Sequence, residues 1–349
     1  MRIVFDCERM KYAHTGLFEY CLQLAKALKQ NKNPEDKLLY YLKPDLQKHF
    51  DSDDEFVDQH GLQKFIFPSC KEVDLWHTTY QLSSYIPRNK KIKRVLTVHD
   101  LNFLHEEKSP AKVKKYLHKH QQIIDLADHI VTISSFTKND VLKHLDTAGK
   151  PLTVIYNGCA KSPVLTGVKP VSAPDKPFLF ALGTVNPKKN FHVLVPLLSN
   201  NDFELIIAGK IDGPYQDKIM AEAAAHGVAH KVKIIGAVTE QEKHWYYKNC
   251  EAFLFPSLAE GFGIPPIEAM TYGKPVFLSD RTSLPEIGGD AAYYFRSFDP
   301  TAVQSAFDEG MANYRLTNPS KKIIAHAAQF DWENTAKAYL EVYKSTVDG

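Results

Sequence analysis

Short runs of β-branched and apolar residues alternate with amphipathic helical stretches along this chain, and no other feature constrains its fold as strongly. Runs at 3–5, 95–98 and 130–133 precede helical patterns at 17–29, 111–126 and 135–145. Strands alternating with helices predict a parallel sheet covered on both faces. A segment rich in Pro and Lys, 161–177, interrupts the pattern and reads as a linker. Strand-like runs then resume at 178–182, 204–208, 232–235, 252–255 and 276–278, which predicts a second parallel sheet. With 349 residues the chain is long enough for two α/β domains, each with its own core, placed at 1–165 and 171–330. Ligands of open parallel sheets sit at the carboxyl ends of the strands, so a cleft between two facing domains is the expected site. Neither half carries Gly-x-Gly-x-x-Gly, which argues against a nicotinamide dehydrogenase.

Composition removes other classes. No stretch approaches the roughly 18 apolar residues needed to cross a bilayer, and the first residues read as a strand instead of a signal peptide, so a cytoplasmic protein is expected. The cysteines at 7, 21, 70, 159 and 250 show no metal-ligand spacing and are expected to be thiols, several of them buried. Residues 1–170 carry 26 basic against 20 acidic side chains, and residues 171–349 carry 17 against 21. The basic excess gathers between Arg88 and Lys119, opposed only by Asp100, Glu106 and Glu107. Such a run is read first as a solvated helix face; peripheral attachment to the inner face of the cell membrane is the second reading. Asp51-Ser52-Asp53 spells a divalent-metal motif, yet it lies in an acidic run with no element to aim it and is read as a solvated loop.

The chemistry concentrates in the stretch from Phe255 to Met270, which contains Pro256-Ser257-Leu258-Ala259-Glu260-Gly261-Phe262-Gly263-Ile264-Pro265-Pro266 and then Glu268. A strand ending at Phe255, a glycine-containing loop and a helix opening at the prolines aim backbone amides at a ligand. Because proline donates nothing, those amides belong to Phe262, Gly263, Ile264 and Ile267, and a diphosphate suits them. Glu260 and Glu268, before and inside the helix, can reach different parts of one ligand. In the first half, His99 and Asp100 end the strand at 95–98, and Gly16 precedes the first helix, where it would let a phosphate approach the backbone.

Glu260-x7-Glu268 resembles the hallmark of glycosyltransferase family 4, whose members are retaining transferases with the GT-B fold of two Rossmann-like domains. Gly183-Thr184-Val185-Asn186-Pro187-Lys188-Lys189-Asn190, Ala208-Gly209, Gly236-Ala237-Val238 and Gly273-Lys274-Pro275 fall in the family's order across the second domain. The resemblance implies that Lys189, with Gly183 and Lys188 beside it, meets the donor diphosphate. Thr184 stands where many members place the first cation. It also implies that backbone around Val238 reads the nucleobase, that Glu260 holds the transferred sugar and Glu268 the ribose, and that His99 approaches the anomeric carbon with Asp100 orienting it or the acceptor. The loop from Tyr12 to Gly16 resembles the family's glycine-rich loop with a single glycine. Asn157-Gly158 is similar to the interdomain Asn-Gly, and 331–349 to the helix that packs back on the first domain.

The function implied is transfer of a hexose such as mannose or glucose from a nucleotide-diphosphate sugar of the UDP or GDP type to a glycan or lipid-linked acceptor of a bacterial surface polysaccharide. No metal or other cofactor is required in this scheme, and no nucleic acid is expected as a partner. The competing readings are an epimerase on the same fold, a glycoside hydrolase using both carboxylates, and an inactive nucleotide-sugar-binding partner.

Overall fold

The computed structural model describes residues 1–13, 15–65, 72–159 and 168–349. It divides into two compact units, Met1–Ala160 with Phe330–Gly349, and Lys161–Gln329.

The first unit holds a seven-stranded sheet: β1 (Arg2–Asp6), β2 (Lys37–Leu42), β3 (Glu55–Asp58), β4 (Leu75–Thr78), β5 (Lys93–Val98), β6 (His129–Thr132) and β7 (Leu152–Val154). All pairs are parallel and the order is β3-β2-β1-β4-β5-β6-β7. The sequence pattern marks only three of these strands. β3, β4 and β7 are only three or four residues long, and β2, six residues long, leads into a 3-10 turn instead of the helix that the alternation looks for. The helices α1 (Gly16–Asn31), α2 (Pro110–Ile124) and α3 (Ser135–His144) lie within a few residues of the expected patterns. α1 starts on Thr15, whose hydroxyl accepts the Phe18 amide at 3.3 Å.

The C-terminal helix Trp332–Asp348 belongs to this first unit and buries Ala336, Tyr339, Val342 and Tyr343 in one core with Tyr20, Leu24 and Leu28 of α1. The spacing of three and four residues puts these side chains on one face. Below that face runs a buried polar chain. Tyr343 and Thr97 hydroxyls bracket the His77 ring at 2.6 and 2.8 Å, Thr97 meets Tyr339 at 2.9 Å, and Tyr339 meets Tyr20 at 2.8 Å. Burial drives His77 down to about 3, so it is neutral and one ring nitrogen accepts while the other donates. Gly158 lies against the helix start, where a Cβ would collide with Trp332, and the Cys159 amide donates to the Phe330 carbonyl at 3.0 Å. Of the linker 161–177, residues 161–167 fall outside the described residues, and so do His14 and Cys70. The four described cysteines are buried thiols.

The second unit holds β8 (Phe178–Leu182), β9 (Glu204–Ala208), β10 (Val232–Gly236), β11 (Ala252–Phe255), β12 (Val276–Ser279) and β13 (Tyr293–Phe295), all parallel in the order β10-β9-β8-β11-β12-β13. β8 and β11 are buried almost throughout, as strands with helices on both faces must be. Its helices are α4 (Tyr215–Ala225), α5 (Glu240–Asn249), α6 (Ile264–Met270), α7 (Leu284–Gly288), α8 (Pro300–Thr317) and α9 (Ser320–Ala327).

Candidate functional site

Both sheets reverse their winding at one place: between β1 and β4 in the first unit and between β8 and β11 in the second. Loops leaving the two strands there diverge to opposite faces and open a crevice at their carboxyl ends. The loops after β8 and β11 carry Lys188, Lys189, Ser257 and Glu260.

In the second unit the loop after β8 begins at Gly183, with φ of 152°. A Cβ at Gly183 would press on Lys189 Cε at 3.0 Å, so the missing side chain makes room for the lysine stem. Gly183, Gly209 and Gly236 lace three strand ends together. The Gly183 amide donates to the Ala208 carbonyl at 2.9 Å, and the Gly209 amide to the Gly236 carbonyl at 2.7 Å. A Cβ on Gly209 would fall onto the Gly183 carbonyl. The turn Pro187–Lys189 ends on Asn190 in the left-handed region, φ 57°, which an asparagine tolerates.

Lys189 Nζ then pairs with Glu260 Oε1 and lies 4.6 Å from the centroid of the Phe255 ring. The same carboxylate oxygen accepts the Ser257 hydroxyl at 2.5 Å. Burial pushes the Glu260 pKa up, but the charges of Lys189 and Lys188 with the hydrogen bonds from Lys189 and Ser257 outweigh it and hold the carboxyl below its usual range. Glu260 is therefore an anion at neutral pH and a poor proton donor. The Lys188 carbonyl accepts the Leu258 amide at 2.8 Å and the Ser257 hydroxyl at 3.3 Å, fastening the two loops to each other. Two lysines against one carboxylate leave the crevice one positive charge in excess.

Glu260 is also braced from behind. Its amide donates to Thr282 Oγ1 at 2.9 Å, and Ser283 Oγ donates to the carbonyls of Glu260 and Phe262 at 2.9 and 2.8 Å. Thr282 has φ of 51°, an uncommon conformation for a β-branched residue. Ser257 and Thr282 carry no signal of their own in the sequence pattern. Only their place one loop beyond a strand end could have singled them out. α6 opens at Ile264 on the cap Gly263, φ 126°, so the amides of Phe262, Gly263 and Ile264 precede the helix ladder. Ile267 falls where an α-helix takes up its first amide, which removes it from the set expected to meet an anion.

Glu268, within α6, receives Lys243 Nζ on Oε1 and the Tyr247 hydroxyl on Oε2, both at 2.8 Å. Each oxygen keeps a further lone pair for a ligand. Burial lowers the Lys243 pKa, but Glu268 and Glu240 overcome it and the ammonium stays firmly charged. Val238 is half-buried between Gly236, φ 73°, and Thr239, the cap of α5. Thr184 is half-buried on the same loop as Lys188.

In the first unit, His99 follows β5. Its Nε2 donates to the Thr79 carbonyl at 2.7 Å, so Nε2 bears the proton and Nδ1 is the acceptor. Burial takes its pKa down to about 4, against the raising effect of that hydrogen bond, so the ring is neutral. Gln81 holds the backbone on both sides of it, accepting the His99 amide at 3.1 Å and donating to the Asp100 carbonyl at 3.0 Å. The Thr79 carbonyl orients the imidazole, and Asp100 Oδ1 accepts the Asn102 amide at 3.0 Å. A carbonyl fixed by the sheet is a more rigid tether than a carboxylate. Gly16 has no positive φ, and a Cβ there would meet nothing within 4 Å, so the fold itself does not require glycine at this position. Lys29 Nζ lies 2.8 to 2.9 Å from carboxylates of Asp51, Asp53 and Asp54 and offsets one of their three negative charges.

The family model of the group 1 glycosyl transferases matches residues 168–330, and that of glycosyltransferase family 4 matches residues 58–160. The chain belongs to the group 1 glycosyltransferases of family 4. It is 24% identical to O-antigen chain mannosyltransferase B of Escherichia coli, over 99% of this chain and all of the relative. It is 28% identical to the serotype-specific mannosyltransferase WbdA of Escherichia coli over 71% of this chain, but spans only 33% of that longer protein. Among solved structures it resembles Anabaena HepE in complex with UDP and glucose, with a TM-score of 0.76 and 17% identity over 99% of this chain and 100% of the other. Such a likeness gives this glycosyltransferase the GT-B fold.

Proposed function

We propose that this glycosyltransferase moves a hexose from a nucleotide-diphosphate sugar to a glycan or lipid-linked acceptor in bacterial surface polysaccharide synthesis, with retention of anomeric configuration and without a metal ion. The observation that carries the proposal is the Lys188–Lys189–Glu260 crevice between β8 and β11, one positive charge in excess and braced by two neighbouring loops. The mannosyltransferase relatives support a hexosyl donor, and UDP in HepE supports a nucleotide diphosphate.

In this scheme the bond from the anomeric carbon to the diphosphate oxygen breaks, the acceptor oxygen bonds to the same face, and the acceptor proton passes to the departing phosphate oxygen. Lys189, Lys188 and the amides of Phe262, Gly263 and Ile264 stabilise the charge that develops on the diphosphate, with Gly183 keeping the lysine stem in place. Glu260, ionised and already paired, holds sugar hydroxyls and does not act as the proton donor a hydrolase needs. Glu268 holds the ribose and backbone around Val238 meets the base. His99, neutral with a free Nδ1, accepts a sugar hydroxyl near the reacting carbon; Asp100 and Gly16 stay assigned to the ligand-facing edge of the first unit. A nucleotide-sugar donor places the reaction on the cytoplasmic side. The exposed lysines 112, 114, 115 and 119 of α2 are assigned to peripheral contact with anionic lipid. Among the described residues no helix is long and apolar enough to cross a membrane.

The test is incubation with UDP-glucose and with GDP-mannose in EDTA, with and without oligosaccharide acceptors, and NMR of the products. A new α-glycoside formed in EDTA agrees with the scheme. A free epimerised nucleotide sugar, a β-glycoside or full loss of turnover in EDTA refutes it.

A further inference from the structure

Among the described residues the His99 ring makes one hydrogen bond, from Nε2 to the Thr79 carbonyl. One such bond leaves a flat ring free to rock about the N–H···O line, and rocking moves Nδ1, the atom the transfer scheme uses. Packing has to stop it. The Tyr20 ring of α1 stands perpendicular to the imidazole, with centroids 4.6 Å apart and planes at 86°, and Tyr80 stands farther off at 6.5 Å. Perpendicular contact at this separation is a favoured arrangement of aromatic rings.

Tyr20 is itself fixed from two sides. Its hydroxyl donates to Thr97 at 3.3 Å and meets the Tyr339 hydroxyl at 2.8 Å, while Thr97 meets Tyr339 at 2.9 Å, so three buried hydroxyls close a ring. Trp332, the first residue of the C-terminal helix, packs on Tyr20 with centroids 6.1 Å apart. The C-terminal helix therefore grips Tyr20 twice. Filling the space would need only an apolar side chain; linked hydroxyls out of solvent add direction, because a hydrogen bond weakens steeply as it bends. Thr97 and His99, two residues apart at the end of β5, share a face of the sheet, which sets the hydroxyl ring beside the imidazole.

We propose that Tyr20 is a positioning residue for His99, and that Tyr339 of the C-terminal helix acts through it. The proposal rests on the reading of His99 as the group beside the reacting carbon, and it adds what keeps Nδ1 aimed. Tyr20 is 1% exposed and has no surface to offer a ligand, so any effect it has on transfer passes through its neighbours. A reacting group keeps its geometry only when the side chains that support it are themselves locked.

The experiment is NMR of the imidazole nitrogens in the isotope-labelled full chain, with the His99 signals assigned by their loss in His99→Gln, beside steady-state transfer from whichever of UDP-glucose and GDP-mannose the parent uses. The parent is expected to show His99 as one tautomer, protonated on Nε2. Tyr20→Leu is expected to mix the tautomers and to lower kcat about tenfold or more, with KM for the nucleotide sugar within about twofold, since a misplacement of about 1 Å can cost about 100-fold. Tyr20→Phe keeps the ring and loses its anchor, so a smaller loss of about threefold is expected. Tyr339→Phe should match it, and the two phenylalanine substitutions together should lose no more than either alone, because they break one route. A folded Tyr20→Leu with the parent's kcat, or one whose kcat falls while the His99 signals stay parental, overturns the proposal. If Tyr20→Leu does not fold, the phenylalanine variants decide on the same two readings, and parental values in both overturn it. A His99→Gln that transfers like the parent removes the reading of His99 itself, whereas the imidazole signals report the Tyr20 contact whether or not His99 serves the reaction.

Discussion

Replacing Lys189 by methionine keeps the length of the stem that crosses Gly183 and removes only the ammonium. Two effects follow, and they can be measured separately. Glu260 is left with Ser257 and the more distant Lys188 as its compensation. Breaking a buried ion pair by removing one partner costs roughly 3–5 kcal/mol. The Glu260 and Lys189 side chains are 14% and 12% exposed, and two partners remain for the carboxylate, so about 2 kcal/mol of lost stability is expected. The second effect falls on the ligand. A hydrogen bond to a charged group contributes about 1.5–3 kcal/mol, and each 1.4 kcal/mol is tenfold in affinity, so binding of the preferred diphosphate should weaken by roughly 10- to 100-fold. Urea unfolding with and without UDP or GDP reads both. The first gives the shift in the ligand-free midpoint, and the second gives the loss of ligand-induced stabilisation. The pair also fixes a pH signature. The Glu260 carboxyl is held below its unfolded value, so its contribution is present above the unfolded pKa and is lost as pH falls through the folded one. Lys189→Met should therefore show a shallower loss of stability on acidification below about pH 5 than the parent. A variant that keeps the parent's nucleotide-induced stabilisation to within about 0.4 kcal/mol would refute the assignment of Lys189 to the diphosphate.

Glu260→Gln should cut transfer by at least about 100-fold while changing the dissociation constant of UDP or GDP by less than about threefold, as steady-state rates and titration would show; equal losses in both would move Glu260 to the nucleotide. Tyr343→Phe removes a hydroxyl from His77 Nδ1 and should cost about 1–3 kcal/mol in urea unfolding, with no effect on nucleotide affinity. His99 is folded with a pKa of about 4 against an ordinary 6.5, so the unfolded chain binds more protons between those values and stability falls as pH drops from about 6.5 to 4. His99→Gln should lessen that fall in midpoints measured at pH 7 and 5. Burial raises Asp6 to about 7, which has the opposite sign: its contribution is lost as pH rises through 7, so Asp6→Asn should gain stability over the parent at pH 8 and not at pH 5.

How much of this was legible in the sequence depends on the kind of residue. Lys189, Glu260 and Glu268 stand in an ordered set of motifs, and Gly183, Gly209 and Gly236 are visible as glycines at strand ends. What they do for each other is not visible, because the contact of a Gly209 Cβ with the Gly183 carbonyl joins residues of different strands. The partners of the carboxylates were missed for the same reason. Lys243 and Tyr247 reach Glu268 from α5, and Thr282 reaches Glu260 from beyond β12. His99 stands out by its place at a strand end, whereas its tether to the Thr79 carbonyl is invisible, since spatial adjacency across β4 and β5 leaves no local trace. Short strands such as β4 carry too few residues for a period, although β4 supplies the turn that positions His99.

The two sheets share one winding, and the loops at their reversal points differ in the charge they carry. In the second unit the loops after β8 and β11 bring two lysines to one carboxylate, a surplus that suits a diphosphate. In the first unit the loops after β1 and β4 bring arginine and lysine against buried carboxyls, with tyrosine rings beside them, and leave no such surplus. A fold that offers the same crevice twice leaves function to a handful of loop side chains. Removing the charge of one of them should change which ligands the loops favour before it disturbs the sheet. Glu8→Gln tests this: it removes the carboxylate that pairs with Arg9 and Lys11 and should raise the first unit's affinity for inorganic pyrophosphate above the parent's. If the variant gains no pyrophosphate binding by calorimetry, charge is not what separates the two crevices.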